Sequence, residues 1–238
     1  MTLKISLEKL LETGAHFGHQ VRRWNPKIKE YIYGEENGVH VFDLIKTGQA
    51  LEAALEVLKK AYSEGKLILF VGTKKQAKEV IKNLALKLSS PYVCERWLGG
   101  TFTNFDQIAR SVKTLSGLKT GLTSGEFDDR TKKERLLIQK QIDDLERKVG
   151  GLTTMTRVPD MMVVVDTHRE NGAITEAIKM GVVTIAIVDS NSDPEKVNYP
   201  IPMNDDSAKA VEYVLALIES TLLASQAKSA KAAKDKAN

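Results

Sequence analysis

Residues 67–77 read LILFVGTKKQA. Five apolar residues run unbroken from Leu67 to Val71, one glycine follows, and from Ala77 the apolar residues fall at helical steps through Val80, Ile81, Leu84 and Leu88. A strand with one wet face would alternate; a continuous run is what a parallel strand covered on both faces requires. Met161–Val165 (MMVVV) and Val182–Val188 (VVTIAIV) have the same character. VHVFDL (Val39–Leu44) reads as a fourth strand and YVCE (Tyr92–Glu95) as a short fifth. Between them lie further helical stripes: Leu51, Leu55, Leu58 and Tyr62; Ala173, Ile174, Ala177 and Ile178, stopped by Gly181 at a C-cap; and Ala210, Val211, Val214, Leu217 and Ile218, begun by Asp205, Asp206 or Ser207. Strand–helix alternation of this kind predicts an α/β fold, a doubly wound parallel sheet between helical layers.

One segment breaks the alternation. Phe105, Ile108, Val112 and Leu115 step by three and four, a Gly- and Thr-rich stretch with Gly117, Gly121 and Gly125 follows, and Ile138, Ile142, Leu145 and Val149 repeat the steps among many charges. Two narrow apolar seams joined by a loop predict an antiparallel helical hairpin, coiled-coil in style, inserted into the sheet domain. The expected organisation is therefore a sheet domain over 1–104 and 151–224 and an inserted hairpin over 105–150. The tail over 225–238, rich in Lys and Ala, should be disordered for want of apolar surface.

Hydrophobic residues make up 42% of the 238, enough for one packed core. With 35 basic against 31 acidic residues the net charge is only +4, so a nucleic-acid surface must be one face of the molecule. The single Cys94 excludes an internal disulfide and any paired-cysteine zinc site. No apolar run approaches the roughly 20 residues that span a bilayer, and no signal peptide opens the chain, so a cytoplasmic location and no membrane partner are expected.

Three places have residues suited to chemistry. In FVGTKKQA, Thr73 is expected to cap the following helix with Gln76, placing free N–H groups, Lys74 and Lys75 where an anion is favoured. The loop has one glycine and neither G-x-G-x-x-G nor G-x-x-x-x-G-K-[ST], so a phosphate of an RNA backbone suits it better than a nucleotide cofactor. A nucleotide- or phosphate-using enzyme on a Rossmann-like sheet is the alternative. In Ala15–Tyr33, His16 and His19 precede Arg22, Arg23, Trp24, Lys27 and Lys29, with Tyr31 and Tyr33 after them. Cations interleaved with aromatics suit phosphate contact and base stacking; the rival reading buries the aromatics and solvates the arginines. Finally, Asp189, Asp205 and Asp206 belong at the carboxyl edge of the sheet, where with His16 or His19 they are candidates to hold a divalent metal, zinc or magnesium; ordinary turns and caps also explain them. No nucleophile elbow, catalytic triad order or HExxH appears.

HFGH, RRWNPK, NGVHVFDLIKT, FVGTKKQA, RWLGGTFTNF, PDMMVVVD and AIVDSNSDP followed by IPMNDD stand in an order and spacing that resemble the bacterial small-subunit ribosomal protein S-two family, from Leu7 to about Leu223. Met203 stands where the family usually has glycine. The resemblance implies a flavodoxin-like sheet with a protruding coiled coil, no enzymatic activity, and a seat at the head–body junction of the small subunit. It also implies contact with ribosomal RNA and neighbouring proteins, and a part in docking ribosomal protein S-one. The residues expected at RNA are Arg22, Arg23, Lys27, Lys74, Lys75, Arg96, Asn104 and Arg110; Arg96 and Asn104 flank the Gly99-Gly100 turn that leads into the hairpin.

Overall fold

The computed structural model describes residues 5–235, with side chains as far as Gln226. Five parallel strands form the central sheet: β4 (Ile68–Val71), β5 (Tyr92–Val93), β6 (Met161–Val165), β7 (Val183–Val188) and β8 (Tyr199–Pro202), in the order β5-β4-β6-β7-β8. Numbered within the sheet this is 2-1-3-4-5, the flavodoxin-like order. Its two faces explain the unbroken apolar runs. Ile68, Phe70, Met161, Val163, Val165, Ile185 and Ile187 pack under α2 (Leu44–Ser63), α3 (Lys75–Lys87) and α7 (Ala208–Asp235). The intervening Leu69, Val71, Met162, Val164, Ala186 and Val188 face α6 (Asn171–Met180), Phe102, Ile28 and Phe42. Three α/β/α layers result.

The strand read at Val39–Leu44 belongs elsewhere. A second, antiparallel sheet in the order β1-β3-β2 joins β1 (Phe17–Gln20), β2 (Ile32–Glu36) and β3 (Val39–Phe42). Asn37 and Gly38, at φ 52° and 76°, make the two-residue turn between β2 and β3. Asn-Gly is the strongest short-range hairpin signal, and it marks this pairing in the sequence. The edge strand β8 carries Pro200 and Pro202; lacking N–H groups, they are tolerated because β8 pairs on one side only, with β7.

The segment after β5 is two helices, α4 (Phe105–Thr123) and α5 (Lys132–Val149), packed on each other through Leu115, Ile142 and Val149 with Val112, Leu118, Ile138 and Leu145 at the margins. Thr131 and Glu134 close a capping box that starts α5. The expected loop is shorter than its glycines suggest: α4 continues through Gly117 and Gly121, and Phe127 folds back onto Gly121. The tail expected to be disordered over 225–238 lies largely outside the residues whose side chains are described. The backbone of α7 runs on to Asp235, since alanine and lysine readily extend a helix already nucleated by packing; residues 236–238 lie outside the described residues. Among the described residues no helix is long and apolar enough to cross a membrane.

Candidate functional site at the carboxyl edge of the sheet

In this strand order the connections diverge between β4 and β6, and ligands of such folds bind outside the carboxyl ends there. Gly72 follows β4 where a Cβ would stand 2.3 Å from Ile81 Cδ1 and 3.2 Å from Ala77 Cβ, so a larger residue would force the buried Ile81 to shift. The expected capping box is absent. Lys74 occupies the N-cap position without a side-chain cap, and Thr73 turns away. Thr73 Oγ1 donates to Glu170 Oε1 at 2.5 Å and accepts from Arg169 Nε at 2.8 Å.

Lys74 does not reach outward for a phosphate. Its ammonium lies 2.6 Å from Asp205 Oδ1, 2.6 Å from Asp206 Oδ1 and 3.5 Å from Asp166 Oδ2, and its side chain is 12% exposed. Burial alone would lower its pKa; the surrounding Asp205, Asp206 and Asp166 outweigh that and raise it above the ordinary lysine range. The crevice that would hold a nucleotide is thus filled by the protein's own ion pairs, and its aspartates repel a pyrophosphate. Asp166 adopts φ 68°, unusual outside glycine, and is held there by Arg169 N–H donating to its Oδ1 at 2.9 Å.

The acidic set converges with one histidine. Gly18 lets β1 approach the turn after β7 closely, a Cβ there falling 2.9 Å from Ser190 Oγ, and His19 N donates to that hydroxyl at 2.7 Å. His19 Nδ1 comes within 2.9 Å of Asp189 Oδ1, and Nε2 within 3.5 Å of Asp206 Oδ2. One ligand atom from each of the three lies within 4.8 Å of the others. Pairing with Asp189 raises the His19 pKa above 6.5 against the opposing pull of burial. Asp205 stands beside them, tied to Lys74 through one oxygen, while buried Oδ2 makes no hydrogen bond among the described residues. Burial, with Asp189 and Asp166 close by, raises its pKa. His16 is not part of the cluster: it precedes β1, its carbonyl accepts from Phe42 N, and its ring lies tilted against Phe17, the centroids 4.0 Å apart. Met203 leaves the local turn intact, since Asn204 Oδ1 accepts from Asp206 N and Ser207 N.

The residues expected at RNA separate into two groups. Lys27 is tied to Asp193 at 3.1 Å and Glu195 at 2.5 Å, and Lys74 is enclosed as described. Nothing next to either lysine in sequence announces these partners, since Asp193, Glu195 and Asp205 lie 166, 168 and 131 residues away. Arg22, Arg23, Lys75, Arg96 and Arg110 are exposed and form no ion pair among the described residues; Arg22 Nε donates to Gln20 Oε1 at 3.0 Å. Asn104 is the exposed N-cap of α4. Trp24 and Tyr31 pack against the core, with Trp24 4.8 Å from the His40 ring, whereas Tyr33 is 81% exposed.

Two residues escaped the sequence reading. Arg169 shares a cavity of about 500 Å³ with Thr73, Arg96 and Trp97. Glu176, on the buried face of α6, accepts from Trp97 Nε1 (3.1 Å) and Gly100 N (2.8 Å) on one oxygen. On the other it accepts from Phe102 N (2.9 Å), Thr103 N (3.1 Å) and Thr103 Oγ1 (3.1 Å). One carboxylate thereby fixes the whole RWLGGTFTN turn between Arg96 and Asn104. No motif announces it; a glutamate among Ala173, Ile174 and Ala177 is the only hint.

The model of the family described as ribosomal protein S2 matches residues 10–225. The small ribosomal subunit protein uS2 of Microcystis aeruginosa is 45% identical over 219 residues, covering 92% of this chain and 83% of its own length. That of Bifidobacterium animalis subsp. lactis is 47% identical, covering 88% and 69%. The small ribosomal subunit protein uS2c of Porphyra purpurea is 45% identical, covering 90% and 89%. With such a match along nearly all of its length, and with the ligand crevice of its fold closed by its own ion pairs, the chain belongs to the ribosomal protein S2 family.

Proposed function

We propose that this chain, by its family a structural and non-enzymatic constituent of the small ribosomal subunit, binds ribosomal RNA there through its unpaired cations. The observation that carries the reading is the contrast between compensated and free charge: Lys27 and Lys74 are neutralised internally, while Arg22, Arg23, Lys75, Arg96 and Arg110 stand exposed without carboxylate partners among the described residues. Free cations on a near-neutral protein release counterions when they meet phosphate. The α4–α5 pair, which follows the Glu176-fixed turn, would extend the contact surface to a second RNA helix. A seat at the head–body junction and help in docking ribosomal protein S-one rest on the family resemblance.

Binding to small-subunit RNA is expected to weaken steeply with salt. The Arg22→Ala/Arg23→Ala double variant should fold normally, bind about tenfold more weakly, and lower the slope of log K against log salt by roughly 1 to 2. Filter binding over a salt series measures this. A double variant with unchanged affinity and slope would remove these arginines from the interface.

We also propose that His19, Asp189 and Asp206 hold a divalent cation, with the orphaned oxygen of Asp205 adding negative charge beside it. An imidazole nitrogen with carboxylate oxygens suits zinc better than magnesium, which prefers oxygen alone. Adding zinc to the metal-free protein should raise its thermal midpoint, and His19→Ala should abolish the rise. Equal response of the two proteins would contradict the site.

A further inference from the structure

Beyond the ends of β6 and β7 lies a cavity of about 270 Å³ whose wall includes Asn25, Thr167, His168, Asn171, Asn191 and Lys196. Its chemistry is polar and nearly neutral. Asn25 and Asn171 each use the carboxamide oxygen, for Lys27 N at 3.1 Å and Lys196 Nζ at 3.4 Å, and their amide NH2 groups make no hydrogen bond within the described chain. Asn191 presents its carboxamide between Ser192 Oγ and the His19 ring. The exposed His168 ring has no hydrogen-bond partner among the described residues, and Thr167, only 7% exposed, has a hydroxyl that finds none either. Below them Ile174 supplies an apolar surface.

A phosphate would meet one ammonium here, beside Asp193, which is poor company for an anion. A nucleobase fits the set: its faces are apolar, and its edge carries donors and acceptors together, as carboxamides do. The strand that would carry it has cations waiting. Arg22 and Arg23 lie three and two residues before Asn25, and Asn25 N fixes that segment to the cavity rim by donating to Ser190 O at 2.7 Å.

We propose that this cavity receives one unstacked base of the bound RNA, its edge met by the carboxamides of Asn25, Asn171 and Asn191 and its flanking phosphates by Arg22 and Arg23. The inference rests on the RNA-binding reading above. Sequence-specific contact with RNA commonly uses such splayed bases rather than paired helices.

The test uses the full chain bound to small-subunit RNA, probed at base edges with dimethyl sulfate and carbodiimide. The wild-type protein should shield one unpaired nucleotide. Asn171→Ala should leave the unfolding midpoint unchanged, and Thr167→Val, which removes a buried hydroxyl without a partner, should leave it unchanged or raise it; each should weaken binding about fivefold and restore reactivity at that nucleotide in the complex still formed. Free nucleoside monophosphates should give no saturable heat at millimolar concentration; saturable binding would make the cavity a free-ligand site and overturn the RNA source. Bound complexes in which no single nucleotide depends on Asn171 and Thr167 would overturn the cavity proposal while leaving the RNA reading standing. A wild-type chain that does not bind the RNA at all would end both.

Discussion

Replacing Glu176 with alanine is expected to destabilise the protein by about 3 to 4 kcal/mol, although the residue touches no ligand. Its carboxylate receives five donors, from Trp97, Gly100, Phe102 and Thr103, in a turn where Phe102 is 1% exposed. Each donor left buried without an acceptor carries a desolvation penalty of about 1 to 3 kcal/mol, and the turn has room to rehydrate only some of them. Glu176→Gln should lose about 1 to 2 kcal/mol, because an NH2 group then faces N–H donors. Urea unfolding measures both; an alanine variant within about 0.5 kcal/mol of wild type would refute the account. Acid offers a second check. Burial alone would raise the pKa of Glu176, but the N–H donors from Thr103, Phe102 and Gly100 and the Trp97 indole reverse this and lower it below 4.5. A carboxylate with a depressed folded pKa contributes stability fully above its unfolded value, about 4.5, and loses that contribution as pH falls through the lower folded value. Glu176→Gln should therefore flatten the stability profile below pH 4.5 and leave its shape near neutrality unchanged. RNA affinity should fall as well, because the turn sets where Arg96 and Asn104 stand.

What could be read from sequence divides along a physical line. β4, β6 and β7 were legible because burial on both faces leaves an unbroken apolar run, a property of the strand itself. β8 was not, since YPIP satisfies its surroundings by lying at an edge, and edge position is a property of the whole sheet. Val39–Phe42 was rightly a strand but joined the antiparallel sheet, as the Asn37-Gly38 turn beside it indicates. The residues that pack α4 on α5 were legible by another signal, apolar residues recurring every three or four positions, whereas the course of α4 through Gly121 depends on a phenylalanine folding back from the loop. Sites fared worse than elements. His19, Asp189 and Asp206 do converge, yet His16, with the same chemistry three residues earlier, does not. Lys74 looked like a phosphate ligand because its environment in sequence is a helix start with a second lysine; its environment in space is three aspartates, two of them supplied by the far end of the chain. A side chain's charge is written in the sequence, but its compensation is written in the fold.

That compensation should make Lys74 a pillar of stability rather than of binding. Lys74→Met removes the ammonium that joins buried Asp166 and Asp205 to the more exposed Asp206, with Asp189 next to them, and buried carboxylates stripped of their counter-ion are expected to cost about 3 kcal/mol. The loss comes from the carboxylates left behind, so removing one of them should return part of it. Asp205 is 1% exposed, with one oxygen on Lys74 and the other unpaired, which makes Asp205→Asn the natural second change. The double variant Lys74→Met/Asp205→Asn should be more stable than Lys74→Met alone by at least about 1 kcal/mol, and a double-mutant cycle in urea would give the pair a large coupling energy. The same variants separate the two readings of this lysine. A phosphate-binding lysine, once replaced, would leave the unfolding midpoint near wild type and lower the salt slope of RNA binding by about 1. A lysine that serves the fold would shift the midpoint strongly and leave the salt slope of the surviving folded protein where it was. The first pattern would place Lys74 at the RNA after all and undo the assignment of this crevice to internal ion pairing; the distances of 2.6 Å to Asp205 and Asp206 favour the second.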